Sequence, residues 1–184
     1  MLFRNLALLA LPPLFLVSAC VLVAAESDES HEHQHADGQK ALARIDPKSG
    51  STLTGLATFS EVQGGTLVEI HVENAPVGWH AVHVHEKGDC SAADGSSAGG
   101  HFNPATLNHG SPHAVGAHHA GDLGNMEVTA DGKGHHVILM PDLAVASGPN
   151  SVVGHAIVVH AGIDDLVTQP TGNAGGRIGC GEIH

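Results

Sequence analysis

The chain has no tyrosine, one tryptophan and four phenylalanines, so aromatics make up only 3% of it. A core without them has to be assembled from Val, Ile, Leu and Ala, within a hydrophobic content of 42%. Basic side chains are also scarce. The 7 Lys and Arg stand against 19 Asp and Glu, a net charge of −12, which excludes nucleic acid as a partner and any bulk attraction to anionic membranes. From Ala41 onward no segment carries a sustained helical period, which argues against a helical architecture. Against these shortages stands one excess. There are 17 histidines and no purification tag at either end, a composition that points to metal.

The first 25 residues carry Arg4 and then a mostly apolar run from Leu6 to Ala25. The length approaches that of a membrane span, but Pro12-Pro13 and the small residues Ser18-Ala19 suit an export signal with a processing site. Val17-Ser18-Ala19-Cys20 is similar to a bacterial lipobox, which makes Cys20 the expected lipidated N-terminus and a lipid anchor there the only expected link to a membrane. Cleavage after Ala25, releasing a soluble protein, and an uncleaved anchor are the alternatives. All three place the domain outside the cytoplasm, in the periplasm or cell envelope. With Cys20 lipidated, Cys90 and Cys180 remain, and in an oxidising compartment such a pair reads as one disulfide. Residues 26–40 are polar and aperiodic, a disordered linker by composition. His31, His33 and His35 alternate within it, a pattern that also chelates metal loosely.

Residues 41–184 form the expected domain. Short apolar or alternating runs separated by turn residues place strands at Ala41–Ile45, Leu53–Val62, Thr66–Val72, Trp79–His85, Met126–Thr129, His135–Met140, Ser151–His160 and Arg177–Ile183. Gln63-Gly64-Gly65 reads as a hairpin turn. About eight strands at this spacing indicate an all-β antiparallel Greek-key barrel or sandwich. Two long loops interrupt it, Glu86–Gly124 and Ala161–Gly176. A loop of roughly forty residues is unusual in a compact domain unless something other than a core holds it; metal ligands and a disulfide from Cys90 would.

His83 and His85 sit two apart on a strand, so both rings project from one face, an arrangement that suits copper or zinc. Alone the pair is weak, since exposed H-x-H on strands is ordinarily solvated. Downstream come Gly99-Gly100-His101-Phe102-Asn103-Pro104, His109-Gly110, His119-Ala120-Gly121-Asp122-Leu123-Gly124-Asn125, Val158-Val159-His160, Asp164-Asp165 and Thr171-Gly172-Asn173-Ala174-Gly175-Gly176-Arg177. In that order these motifs resemble the copper/zinc superoxide dismutase family, in its bacterial exported form, across residues 41–184.

The resemblance implies one copper and one zinc per chain. It makes His83, His85, His101 and His160 the copper ligands, and His101, His109, His119 and Asp122 the zinc ligands, with His101 bridging the two metals. His118 adjoins His119 and is the competing zinc ligand; the H-x-G-D spacing favours His119. Asp164 takes the part of the carboxylate that accepts hydrogen bonds from His83 and His109, while Asp165 is expected to be merely solvated. Arg177 matches the arginine that attracts and orients the anion, Thr171 the threonine that narrows the channel, and Cys90–Cys180 the family disulfide. The implied activity is conversion of superoxide to oxygen and hydrogen peroxide by Cu(II)/Cu(I) cycling, with zinc structural and His101 supplying a proton, as a defence against extracytoplasmic oxidative stress. Bacterial members occur as monomers and as homodimers, so a homodimer is the one protein partner implied. A metal buffer or metallochaperone is the alternative function, supported by the surplus histidines, although a buffer has no use for Arg177, Thr171 or a bridging His101. His80, His113, His135, His136, His155 and His184 match no ligand position and are expected at the surface or hydrogen-bonded.

Overall fold

The computed structural model describes residues 38–114 and 118–184; the expected export segment, Cys20 and the linker up to residue 37 lie outside them. The strands are β1 (Lys40–Pro47), β2 (Thr54–Val62), β3 (Gly65–Glu73), β4 (Gly78–His85), β5 (Asp122–Val128), β6 (Gly134–Met140), β7 (Ala156–His160) and β8 (Arg177–Glu182). They close into one antiparallel barrel in the order β1-β2-β3-β6-β5-β4-β7-β8, with β8 returning to β1. A three-residue 3-10 turn at Ser96–Ala98 is the one helical element among the described residues. The expected all-β architecture is therefore present, as a closed barrel.

Simple alternation builds the wall opposite the metal-type residues. On β1 Ala41, Ala43 and Ile45 face inward, and on β3 Val68, Ile70 and Val72 do the same. The interior is aliphatic apart from Phe59 and Phe102, while Trp79 is half exposed. Each buried Val or Ile among these contributes on the order of 1.5–3 kcal/mol relative to exposure, and each Ala correspondingly less.

Strands β4 and β7 break the alternation because both their faces are covered. The last six residues of β4 and all five of β7 are buried. Val82 and Val84 join the aliphatic core; His83 and His85, on the opposite face, lie beneath the long loops.

The first loop is laid across β4 by backbone pairing. Phe102 N donates to Val84 O at 2.8 Å, Val84 N to Gly121 O at 2.9 Å, and Glu86 N to Gly100 O at 2.9 Å. An isolated bridge between His85 and His101 continues this pairing and sets His101 beside the two strand histidines. The Cys90–Cys180 bond ties the start of the same loop to β8.

Several expected boundaries shift, most by one or two residues. The barrel begins earlier than residue 41, with Lys40 in β1 and Gln39 O accepting from Glu61 N. Strand β5 begins at Asp122, not Met126, because a bulge hides it. Ala81 pairs with Asn125 but His83 with Asp122, so β5 advances three residues while β4 advances two. Gly124, at φ +81, supplies the conformation that this bulge requires. Strand β7 begins at Ala156 rather than Ser151, whose pairing is a single bridge to Ala144.

Candidate metal centre

Four histidines from three segments meet outside the wall of β4 and β7. His83 pairs with Val158 across the two strands, and His160 ends β7. Ring centroids lie 3.9 Å apart for His83 and His101, 4.9 Å for His83 and His160, and 5.2 Å for His85 and His101. One nitrogen from each of His83, His85, His101 and His160 falls within 4.8 Å of the others, and all four residues are buried. His85 Nε2 and His160 Nε2 are 3.4 Å apart. His83 Nδ1 and His101 Nε2 are buried with no hydrogen-bond partner. An orphaned polar atom costs roughly 1–3 kcal/mol, and two in one nest of imidazoles fit a metal ion that would satisfy both. The third such atom, His155 Nδ1, belongs to no such nest; its ring packs on Phe102 at 4.0 Å.

His101 turns its other nitrogen toward a second group. Asp122 Oδ1 lies 2.9 Å from His101 Nδ1, 2.9 Å from His109 Nδ1 and 3.3 Å from His119 Nδ1. His119 Nδ1 is also 3.3 Å from His101 Nδ1. Zinc bonds of 2.0–2.2 Å in a tetrahedron put ligand atoms about 3.3 Å apart, so these three nitrogens and one oxygen stand near the spacing of a closed zinc site. His83 also comes within 4.8 Å of His101, His109 and Asp122. Its Nε2, however, is taken by Asp164 at 2.9 Å, and its free Nδ1 belongs to the first group. His118 turns elsewhere. Its Nδ1 meets His119 O at 2.7 Å, and its Nε2 lies 3.9 Å from Asp142 Oδ2.

Asp164 spans the two groups. Its Oδ2 accepts from His83 Nε2 and its Oδ1 from His109 Nε2, both at 2.9 Å, with the carboxylate wholly buried. A partner held this way fixes ring orientation and leaves the opposite nitrogen for metal. Asp165 is exposed, as expected, yet it is not merely solvated: its carboxylate caps the next turn, accepting from Val167 N, Thr168 N and Thr168 Oγ1.

Three supporting residues escape a reading by ligand type. Asn125 grips Asp164 through both its backbone groups, at 2.8 and 2.9 Å. Gln169 grips His109 in the same way, at 2.8 Å each. Gly172 sits at φ +65 against the Asp164 carboxylate, where a Cβ would overlap both Oδ1 and His109 Nε2. Paired amides and a glycine in a loop carry no signal until the fold brings their partners in; only the placement of Asn125 and Gly172 within the quoted motifs hinted at them.

Arg177 opens β8 opposite His160, at a bulge where Val159 pairs with Gly179 and His160 with Arg177. Its Nη1 donates to Gly95 O and its Nη2 to Gly99 O, both at 2.6 Å. Gly99 O also accepts from His85 Nδ1 at 2.9 Å, so one carbonyl orients a guanidinium and a member of the first group together. Thr171 is exposed on the second loop and Lys87 on the first, its Nζ 3.9 Å from Glu86.

The two groups differ in how protons compete for them. Burial pushes His83 down to about 4, against the Asp164 hydrogen bond, and pushes His85 down to about 2 and His160 to about 3. Burial also opposes charge on His109, but hydrogen bonds to Asp122 and Asp164 outweigh it and hold the ring up to about 9. Despite desolvation, hydrogen bonds from His101 and His109 hold the Asp122 carboxyl, and those from His109 and His83 the Asp164 carboxyl, well below the usual range. The three depressed imidazoles are neutral in the folded state at pH 5 while their unfolded counterparts are charged. Each therefore removes roughly 1.4 kcal/mol of stability per pH unit as pH falls below 6.5. Thermal unfolding of the metal-free protein should show this loss between pH 6.5 and 4. His109 must give up a proton before its Nδ1 can bind metal, so titration toward acid, followed by metal analysis, should find zinc released at a higher pH than copper.

A family model described as Copper/zinc superoxide dismutase (SODC) matches residues 53–183. A protein of Deinococcus radiodurans named Superoxide dismutase [Cu-Zn] is 43% identical over 139 residues, covering 70% of this chain and 76% of the relative. One of Haemonchus contortus named Extracellular superoxide dismutase [Cu-Zn] is 40% identical over 145 residues, covering 74% and 77%. Among solved structures, the clock protein EA4 superposes with a TM-score of 0.71 at 36% identity, covering 82% of this chain and 97% of that one. A SOD-like protein from Bacillus subtilis gives 0.68 at 34% identity, covering 76% and 95%.

Proposed function

The chain belongs to the copper/zinc superoxide dismutase family, and we propose that it converts superoxide into oxygen and hydrogen peroxide outside the cytoplasm. Copper would be held by His83, His85, His101 and His160, and zinc by His101, His109, His119 and Asp122. The observation that carries this assignment is the pair of partnerless buried nitrogens, His83 Nδ1 and His101 Nε2, the second on a ring whose Nδ1 meets Asp122. Bound copper supplies one-electron transfer between Cu(II) and Cu(I), whereas zinc, which has no redox chemistry, serves structure.

The chain's own residues supply the rest. Arg177, fixed by two carbonyls, keeps further N–H donors of its planar fork for a small anion. His101 Nε2 is the atom placed to take and return a proton, since Nδ1 is held on the Asp122 side. Thr171 would limit access to species the size of superoxide. With a net charge of −12, attraction of the anion falls to the local field of Arg177, aided by Lys87 and the metals.

Purified full-length protein should hold one copper and one zinc per chain and remove superoxide; two metals without dismutation would leave only a metal buffer. Arg177→Glu should lower the low-salt rate at least about tenfold, with the gap narrowing as ionic strength passes roughly 0.1 M. An unchanged low-salt rate would remove Arg177 from the mechanism.

The location rests on the export-type residues 1–25, the disulfide and the extracellular relative. The part of residues 26–40 that precedes the barrel would tether the domain to lipid at Cys20. Mass spectrometry of the mature N-terminus should find a lipidated Cys20; a chain starting at Glu26 would mean simple secretion.

A further inference from the structure

Strands β3 and β6 contribute no residue to either buried group, yet they bring three ligand-type side chains together on the outer wall. His71 and His135 are direct cross-strand partners. Their rings stack with centroids 4.1 Å apart and planes 10° from parallel. Glu69 lies two residues before His71 on the same outward face. Its Oε1 is 3.0 Å from His71 Nε2 and 3.0 Å from His135 Nε2. One donor atom from each of the three falls within 4.8 Å of the other two. All three side chains are about half exposed.

We propose that Glu69, His71 and His135 form a third, solvent-facing site for a divalent first-row transition ion, zinc or copper(II). Two imidazoles and a carboxylate are ligands that both ions accept. The 3.0 Å nitrogen–oxygen separations need to open only slightly to reach the roughly 3.3 Å edge of a tetrahedral site. An ion would replace the two Nε2 protons that now point at Glu69 Oε1. The site is built from strand rather than loop, so its ligands are set by register and lose little freedom on binding. Glu73 and Glu127 line the adjoining hollow, where Lys133 is the one cation, 4.0 Å from Glu73. Three protein ligands leave the fourth position to water. That open position suits capture and release of metal at the surface, unlike the closed Asp122 group.

The test uses full-length protein whose buried groups are already filled with copper and zinc, titrated with zinc by calorimetry at neutral pH. The wild type should take up a further equivalent. His135→Ala should weaken that step by at least about ten- to a hundredfold, and a His71→Ala/His135→Ala double variant should abolish it, both with unchanged dismutation. His31, His33 and His35 are a second source of loose chelation, so a variant with all three replaced by alanine should keep the equivalent. The proposal is overturned if no zinc binds beyond the first two metals, if the double variant binds it as the wild type does, or if only the tail variant loses it. Loss of dismutation with the extra equivalent intact would instead count against the function proposed above, so the two readings fail separately.

Discussion

Replacing His101 by glutamine should leave a folded barrel that has lost both metals' correct coordination and at least about a hundredfold of its dismutation rate. The lower bound follows from residues that merely support a ligand, whose loss already costs about ten- to a hundredfold. His101 does more, since its two nitrogens face different groups, Nδ1 toward Asp122 and Nε2 into the nest with His85 and His160. Glutamine can offer one side-chain ligand atom in this place but cannot span both sides. Far-ultraviolet dichroism should show the strands intact, because His101 touches the wall through one isolated bridge. Metal analysis should show weakened zinc together with altered copper absorption. A His101→Gln protein with near-normal rate would mean that the shared ring is not the proton carrier.

Removing the disulfide by Cys90→Ser and Cys180→Ser should lower the stability of the metal-free protein by about 4–5 kcal/mol. That is the chain-entropy expectation for cysteines separated by 90 residues. For a domain of this size it corresponds to a fall in Tm of roughly 10–15 °C, readable by calorimetry against the oxidised wild type. The effect should extend to function. Cys90 opens the segment whose Gly95 and Gly99 carbonyls hold Arg177, and Cys180 lies three residues from that arginine. Freed from β8, the segment no longer fixes the guanidinium, so the fully metallated double variant should lose rate as well as stability. A variant that melts lower but keeps the full rate would show that the carbonyls alone hold Arg177.

What the sequence made readable, and what it hid, follows from the range of each interaction. Alternation on β1 and β3 is a local pattern, and it placed both strands to within two residues at each end. The pattern starts β5 at Met126 because the long Gly-rich loop extends to Gly124; only pairing with β4 reveals an extended segment carrying a bulge. His80 matched no ligand position, and in the fold it is buried, with its nitrogens 2.8 Å from His160 O and Pro76 O. No residue type announces a bond to a distant carbonyl. His71 is a similar case. On β3 alone it is one polar residue on an outward face, and it gains meaning only opposite His135, which lies 64 positions later and was itself expected to be no more than a surface or hydrogen-bonded histidine.

The barrel has one thin joint, where β5 and β6 meet over a single register pair. Strand order sorts the wall on either side of it into β1-β2-β3-β6 and β5-β4-β7-β8. The other seam is well closed, since β1 and the C-terminal segment stay paired from Leu42 with His184 to Lys48 with Ile178. Every strand that contributes to the buried groups, together with Arg177, lies in the second half. The first half bears on redox chemistry only through its packing, so its outward positions are open to change at little cost to catalysis. Substitutions at Glu69, His71 and His135 on that wall should therefore leave the buried groups of the other half in place.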